Sequence, residues 1–392
     1  MPKSHAISND RDSDIRHSTY KDIELEVSTR PIRVGDFARS LLKVGLIGFG
    51  GGIGMLALLR HECVQRKKYI TDDDLCTGVA IGQMLPGPFI PNYCEYIGYH
   101  LFGVRGSIVG AIALLTPSFL LMCILSYLYM MYQTLPGVTQ VFHGIGAVIT
   151  AIVLWASYDM GKVLIKDSKG VIIFVCACAL FLLKFDPILT VLICGVFRIV
   201  LDRMPAHHSM LLAVPLFVFD WRTAAELAWV FLKIGAIIFG GGYGAIPFIK
   251  NEVCTVYGWL TPREFIDGFA LGQMTPGPVA ITATFVGFKV MGLPGALIAS
   301  ICIFLPSLIM LLILVRVYQR IRTNKYVLSF FSGITSAVVA ILLTTGILFV
   351  SLNWLSIPYG IFGAAVLIIM LFKRIEPALL ILAGAVFGLI IG

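Results

Sequence analysis

Two Pro-Gly-Pro triplets, Pro86-Gly87-Pro88 and Pro276-Gly277-Pro278, stand inside apolar stretches of this 392-residue chain. Proline removes a helical hydrogen bond and clashes with the turn before it, so each triplet should end one helix and start another. A helix that starts there presents unpaired backbone N–H groups and about half a positive charge, which suits an anion. The candidate anion-binding groups are therefore the backbone at Pro86, Gly87, Pro88 and Phe89 and at Pro276, Gly277, Pro278 and Val279. Gln83 and Gln273 stand just ahead as side-chain donors. The competing reading of each triplet is a kink that serves packing alone.

Three further groups could carry chemistry. Gly50-Gly51-Gly52 and Gly240-Gly241-Gly242 each follow a phenylalanine inside an apolar run. Consecutive glycines permit unwinding, hinging or close helix approach, so these runs are candidate hinges or substrate-lining backbone, or else tight packing points. Lys43 and Lys233 stand six residues ahead of those motifs and could draw in an anion; alternatively they snorkel to the headgroups. Glu95, seven residues past Pro88, is a costly carboxyl at membrane depth that could carry a proton, or be a hydrogen-bonded structural group. Asp267 reads as solvated near the interface, and Glu62 and Glu252 as local ion pairs with loop cations. The seven histidines are scattered, with no HExxH, and the nine cysteines show no CxxC pair. No phosphate-binding glycine loop is present. Metal and cofactor chemistry, enzymatic catalysis and direct use of ATP all lack residues; the expectation is no metal, no cofactor and no enzyme.

These residues must be positioned by helices in lipid. Charged residues are 13% of the chain, about half the usual share of a globular protein. Mean hydropathy is +0.90. The net charge of +8 sits in short loops between apolar stretches, as in cytoplasmic membrane loops, so it does not point to nucleic acid. Residues 1–40 form a polar tail without the features of a signal peptide. Helices are expected over 41–59, 106–130, 138–160, 170–184, 187–201, 226–249, 295–315, 327–350, 357–372 and 376–391. The stretches 75–104 and 265–292, which hold the triplets, should each form two half-helices meeting at a break. The run Leu75–Leu85 reaches only ~16 Å at helical rise, about half of a bilayer core.

The chain is duplicated. With Phe49 placed on Phe239, 15 of 40 consecutive positions are identical, through Pro88 on Pro278, which is beyond compositional chance. Glu62 falls on Glu252, Thr71 on Thr261, and Gly82-Gln83-Met84 on Gly272-Gln273-Met274. Lys43 falls on Lys233 upstream. After one deletion, Gly103, Gly106, Pro117 and Ser118 match Gly292, Gly295, Pro306 and Ser307. Matched interruptions of apolar segments in two halves point to a transporter's binding site. The repeats are read as 41–202 and 226–392, joined by a linker at 203–225. Loop charge swaps sign between them. Arg60, Arg66, Lys67 and Lys68 face only Lys250 and Arg263 in the second half, whereas Arg316, Arg320, Arg322 and Lys325 have no counterpart before Pro136. That swap is expected of inverted halves with an odd number of crossings. The fold class is thus an all-α polytopic membrane protein of two inverted repeats, each of about five transmembrane helices plus a broken Pro-Gly-Pro hairpin.

At these residues the sequence resembles the chromate ion transporter (CHR) family. The second half carries Phe239-Gly240-Gly241-Gly242-Tyr243, Glu252 and Gly258-Trp259-Leu260-Thr261. Gly268 through Pro278, Ala283-Thr284-Phe285-Val286-Gly287 and Phe304-Leu305-Pro306-Ser307 continue the pattern. The first half carries Phe49-Gly50-Gly51, Leu85-Pro86-Gly87-Pro88 and Ile97-Gly98-Tyr99. It departs at Gly52, where proline is expected, and from Phe89 to Glu95. The resemblance runs from about residue 35 to the end. It implies a multi-pass protein of the cell (inner) membrane that expels chromate, with sulfate as a competing or counter ion. Expected partners are a small inorganic anion and membrane lipid, with a homodimer as a candidate assembly. Chromate efflux by a secondary transporter is the leading expectation. Carriage of sulfate or another small anion, and a membrane enzyme acting on lipid headgroups, are the alternatives.

Overall fold

A computed structural model describes residues 32–48, 51–202, 221–238, 242–321, 324–354, 356–373 and 375–391. Most of the expected tail, residues 203–220 of the expected linker, and Gly50, Gly240 and Gly241 lie outside the described residues. The described residues are helical throughout, without strands. In the first repeat the helices are α1 (Val34–Ile47), α2 (Gly51–Leu59), α3 (Asp72–Met84), α4 (Phe89–Tyr132), α5 (Pro136–Leu164), α6 (Ser168–Leu182) and α7 (Pro187–Asp202). The second runs α8 (Trp221–Ile237), α9 (Ile246–Lys250), α10 (Pro262–Met274), α11 (Thr282–Ile321), α12 (Lys325–Asn353), α13 (Ile357–Phe372) and α14 (Pro377–Ile391). A π-helical turn follows α2 at Arg60–Arg66 and α9 at Asn251–Val256.

Local sequence explains the matched starts and stops. Thr71 accepts from the Asp74 N–H at 3.1 Å, while the Asp74 carboxylate accepts from the Thr71 N–H, a reciprocal cap that opens α3. Thr261 and Glu264 repeat it at α10. Gly103 and Gly292 hold φ of 65° and 63° inside α4 and α11. There the chain doubles back, so that Gly98 lies against Gly106 and Gly287 against Gly295 with no room for a Cβ at any of the four. Each of these two long elements is therefore a short inner limb followed by a long outer limb.

Two expected helices divide. The 41–59 stretch is α1 and α2, because α1 ends at Ile47 and α2 starts only at Gly51. The 226–249 stretch is likewise α8, a 3-10 turn at Gly242–Ala245 and α9. α1 and α8 both stop just ahead of a glycine run, and glycine supports a helix less well than any residue but proline. Among the described residues each repeat thus has seven α-helices, with shorter 3-10 and π-helical turns between some of them.

Packing is reciprocal. α1 lies on α4 as α8 lies on α11, and α4 meets α11 while α5 meets α12. The terminal pairs are exchanged: α6 and α7 pack on α12, whereas α13 and α14 pack on α5. α5 and α12 are therefore the core, through residues such as Val148, Ile152, Val338 and Ile341, all fully buried. The periphery is apolar, with Ile112, Leu182 and Phe372 among many exposed large side chains. Among the described residues four helices (α4, α5, α11 and α12) are long and apolar enough to cross a membrane. An apolar core inside an apolar surface is the arrangement that lipid solvates.

Candidate functional site

The Pro-Gly-Pro segments form two sharp corners. α3 ends at Met84, Leu85 and Pro88 are extended, and α4 opens at Phe89. α10 ends at Met274, Thr275 and Pro278 are extended, and a 3-10 turn at Val279–Ile281 leads into α11. Gly87 and Gly277 hold φ of 108° and 115°, which other residues avoid. Across the first corner, Gly78 and Gly82 of α3 touch Tyr96 and Tyr93 of α4, so the two helices run back along one another.

Each corner is seated on the opposite repeat. The Gly87 N–H donates to the carbonyl of Ile238 at 2.6 Å, and the Gly277 N–H donates to that of Gly48 at 3.0 Å. Those carbonyls end α8 and α1. A Cβ on Gly87 would meet the Ser307 side chain 2.6 Å away, and one on Gly277 would overlap the Ser118 hydroxyl. This corrects the expectation that both glycine N–H groups face an anion: they close the protein's own helix ends. Proline has no N–H, so the donors left at the corners begin with Phe89, Ile90 and Val279, in the first turns of helices.

Those residues line one cavity of about 300 Å³. Gln83, Pro88, Phe89, Ile90 and Tyr93 come from the first corner; Gly277, Pro278 and Val279 come from the second. Gly242 and Tyr243 join them from the second glycine motif, Met55 and Leu56 from α2, and Trp155, Ala156, Asp159 and Met160 from α5. Pro86, Gly87, Pro276 and Gln273 are not among the cavity's lining residues. Gln273 accepts from the Tyr243 hydroxyl at 3.5 Å, and its amide nitrogen is buried without a partner, a donor to spare. Gly51 and Gly52 open α2. Among the described residues Asp159 is the one charged side chain of the lining, and it was not among the residues expected from sequence. Its signal was a lone acid in the apolar 138–160 stretch, masked by its place near the helix end.

Other expected residues lie elsewhere. Lys43 pairs with Glu62 at 3.4 Å and Lys233 with Glu252 at 2.8 Å. Both lysines are therefore neutralised by buried carboxylates and tie α1 and α8 to the π-helical turns. Glu62 also holds Arg66, its expected local partner; Glu252 takes its cation from α8. Asp267 is buried, against expectation. It accepts from the Tyr129 hydroxyl at 2.8 Å and faces Arg263, which donates to Asn353 of α12. Glu95 is fully buried and lines a second cavity. Among the described residues, no group of three or more His, Cys, Asp or Glu could hold a metal.

The chromate transporter family profile matches residues 35–199 and 225–389, one match per repeat. The chain is 27% identical to a chromate transport protein of Cupriavidus metallidurans, over 89% of this chain and 91% of that one. It is 29% identical to a chromate transport protein of Pseudomonas aeruginosa, over 95% and 96%. A probable chromate transport protein of Synechococcus elongatus is 28% identical over 89% and 93%. No solved structure matches the chain. Two family matches on two structurally equivalent halves, in a protein built of membrane-length apolar helices, make this chain a multi-pass membrane transport protein of the chromate transporter family.

Proposed function

We propose that the chain is a secondary active transporter of inorganic oxyanions that expels chromate from the cell. One observation carries the reading: a single cavity is walled by both Pro-Gly-Pro corners, each at the opening of a helix. An oxyanion there would meet the N–H groups of Phe89, Ile90 and Val279, the positive ends of α4 and α11, and the Gln83 amide. Backbone donors suit a tetrahedral dianion because they stabilise charge without adding a fixed countercharge that would trap it.

The repeats are inverted in this scheme, and each corner reaches about the midplane. The twofold exchange of contacts supports this, since each corner docks on the partner repeat's α1 or α8 carbonyl. Alternating access is a rocking of one repeat on the other, hinged at the glycine runs just past the ends of α1 and α8. An inside-negative potential assists export of a dianion by about 2.3 kcal/mol per charge per 100 mV.

Chromate counterflow in proteoliposomes, against a panel of sulfate and organic acids, tests the proposal. Chromate should exchange, with sulfate competing. Exchange confined to organic acids would replace the substrate; no exchange of any anion would overturn the site.

A further inference from the structure

The second cavity, of about 340 Å³, lies between α4 and α11 and is walled by Ile108, Ala111, Ile112, Leu115, Phe304 and other apolar side chains. Ile112 and Ile301 at its rim are exposed on the apolar periphery, so it opens toward lipid. Among the described residues its one ionisable lining group is Glu95. Both carboxyl oxygens of Glu95 are buried without any hydrogen-bond partner.

The duplication shows what this position holds when it is only structural. Tyr96 meets Gly78 as Phe285 meets the matched Gly268, so Glu95 corresponds to Thr284 and not to the apolar Phe285 that an ungapped reading gives, and Ala111 corresponds to Ser300. In the second repeat the Thr284 and Ser300 hydroxyls share a hydrogen bond of 2.7 Å, and Ser300 also donates to the Ala296 carbonyl. In the first repeat the pair is a carboxyl facing a methyl. The groups around Glu95 do not compensate. On its own limb it has the Cys94 thiol. The outer limb of α4 offers Ser107, whose hydroxyl is committed to the Glu95 carbonyl at 2.7 Å, and Thr116, which donates to Ile112. α11 offers Ser300. On α1 and the π-helical turn after α2, Lys43 and Arg66 are both committed to Glu62. On α3, Asp74 faces His100. Among the described residues no cation is paired with the carboxyl, and an unpaired carboxylate in an apolar wall is the costlier charge state.

The two cavities share a wall. Val279 lines the central cavity and Ile281, at the other end of the same 3-10 turn, lines the lateral one. Tyr93 and Glu95 are divided in the same way on α4.

We propose that Glu95, with the lateral cavity, is a proton-binding site carried by the first repeat alone, coupled through this wall to the anion cavity. The coupling rests on the transporter reading above; the site itself does not.

The test uses the purified full chain in liposomes. Dicyclohexylcarbodiimide, which partitions into lipid, meets only carboxyls open to the bilayer. The protonated acid adds across one C=N bond, its proton going to nitrogen and its oxygen to the central carbon. Acyl migration then gives a stable N-acylurea, with no leaving group and no oxidant. Mass spectrometry should find the adduct at Glu95, and a water-soluble carbodiimide should leave it unlabelled. Labelling should fall as pH rises, approaching about tenfold per unit once the acid ionises. No adduct at Glu95, or one indifferent to pH, overturns the site.

For coupling, the double variant Glu95→Thr with Ala111→Ser rebuilds the hydroxyl pair of the second repeat and so avoids an empty polar pocket. Anion flux through it should lose the response to an imposed pH gradient that the parent shows. An equal response in both overturns the coupling while labelling at Glu95 stands. Failure of the anion reading shows separately, because labelling is read with no anion present.

Discussion

The two repeats build the same corner and then surround it differently. Both carry Gly-Gln-Met, two residues on, Pro-Gly-Pro, and both dock the glycine N–H on the other repeat's helix end. Around that shared frame the charges are unequal. The first repeat places Glu95 where the second has Thr284, and Asp159 where the second has Leu348. The second places the Arg263–Asp267 pair where the first has Asp73 and Thr77. Even the shared serine differs: Ser118 donates across to the Pro276 carbonyl at 2.5 Å, whereas Ser307 donates back to Phe304 at 2.8 Å. What stays alike is what bends the backbone, together with the Lys43–Glu62 and Lys233–Glu252 pairs; what diverges is the other buried or cavity-lining charge. A duplicated protein can hold its substrate on the symmetric part and assign proton binding or electrostatic tuning to one half.

The sharpest way to break the symmetric part is at the glycines. Gly87→Leu and Gly277→Leu should each take chromate flux in proteoliposomes to background. Each adds a Cβ against the serine of the other repeat and forces a side chain into positive φ, which costs ~1–2 kcal/mol before any clash. Gly277→Ala should be milder, and adding Ser118→Gly should return part of the flux by removing the overlap. Full flux in either leucine variant would show that its corner is not part of the route.

The matched lysines separate the repeats next. Lys233→Met leaves Glu252 buried with no cation, since its second oxygen has no partner. Lys43→Met leaves Glu62 still held by Arg66 at 2.8 Å. Removing one partner of a buried pair costs about 3 kcal/mol, so Lys233→Met should lower the thermal midpoint in detergent well below Lys43→Met, whose cost should be nearer 1 kcal/mol. Equal losses would mean that Arg66 does not substitute. The shared frame predicts no loss of anion selectivity in either variant, because neither lysine lines the central cavity.

The frame was legible because it rests on residues that act on their own backbone. A Pro-Gly-Pro triplet interrupts a helix through its own backbone, whatever surrounds it. α1 and α8 end ahead of the glycine runs, at Ile47 and Ile237. What was not legible depends on distant partners. Lys43 and Glu62 are nineteen residues apart and their pairing follows from how α1 crosses the π-helical turn. Asp267 looked solvated until Tyr129, from α4, was placed against it. The exchange of α6 and α7 with α13 and α14 left no trace in the apolar pattern, because lipid and protein neighbours are equally apolar. Two glycine N–H groups were assigned to a ligand because sequence shows an unpaired donor at a helix break but not the carbonyl that comes to meet it.

Asp159 sharpens the comparison at the cavity itself. Its carboxylate shares the wall with donors proposed for a dianion, so it should weaken binding. Asp159→Asn should lower the half-saturating chromate concentration about fivefold, the effect of removing roughly 1 kcal/mol of repulsion across a partly wet cavity. Maximal flux under saturating substrate separates this from damage to the helix. An unchanged half-saturation would place the anion out of reach of α5.

The smallest effect lies at the far ends of the exchanged pairs. In the first repeat Arg198 bridges Asp167, ahead of α6, and Asp202, at the end of α7, with Lys169 also on Asp202. In the second, the positions of Asp167 and Arg198 are Ser356 and Phe387, and Phe387 stacks on Phe362 with centroids 4.1 Å apart. One hairpin is tied by charge, the other by rings. The Arg198 guanidinium beside Asp167 holds its carboxyl below the ordinary carboxylate range. A carboxyl depressed in the folded state contributes stability above its unfolded value, near 4, and loses it as pH falls through the folded one. Asp167 is half-exposed, so the contribution is a few tenths of a kcal/mol. Acidification from pH 5 to pH 3 should therefore lower the thermal midpoint slightly more in the parent than in Asp167→Asn. Phe387→Ala should cost stability that pH does not alter over that range. If both variants respond alike to acid, the ion pair is not what holds α6 to α7.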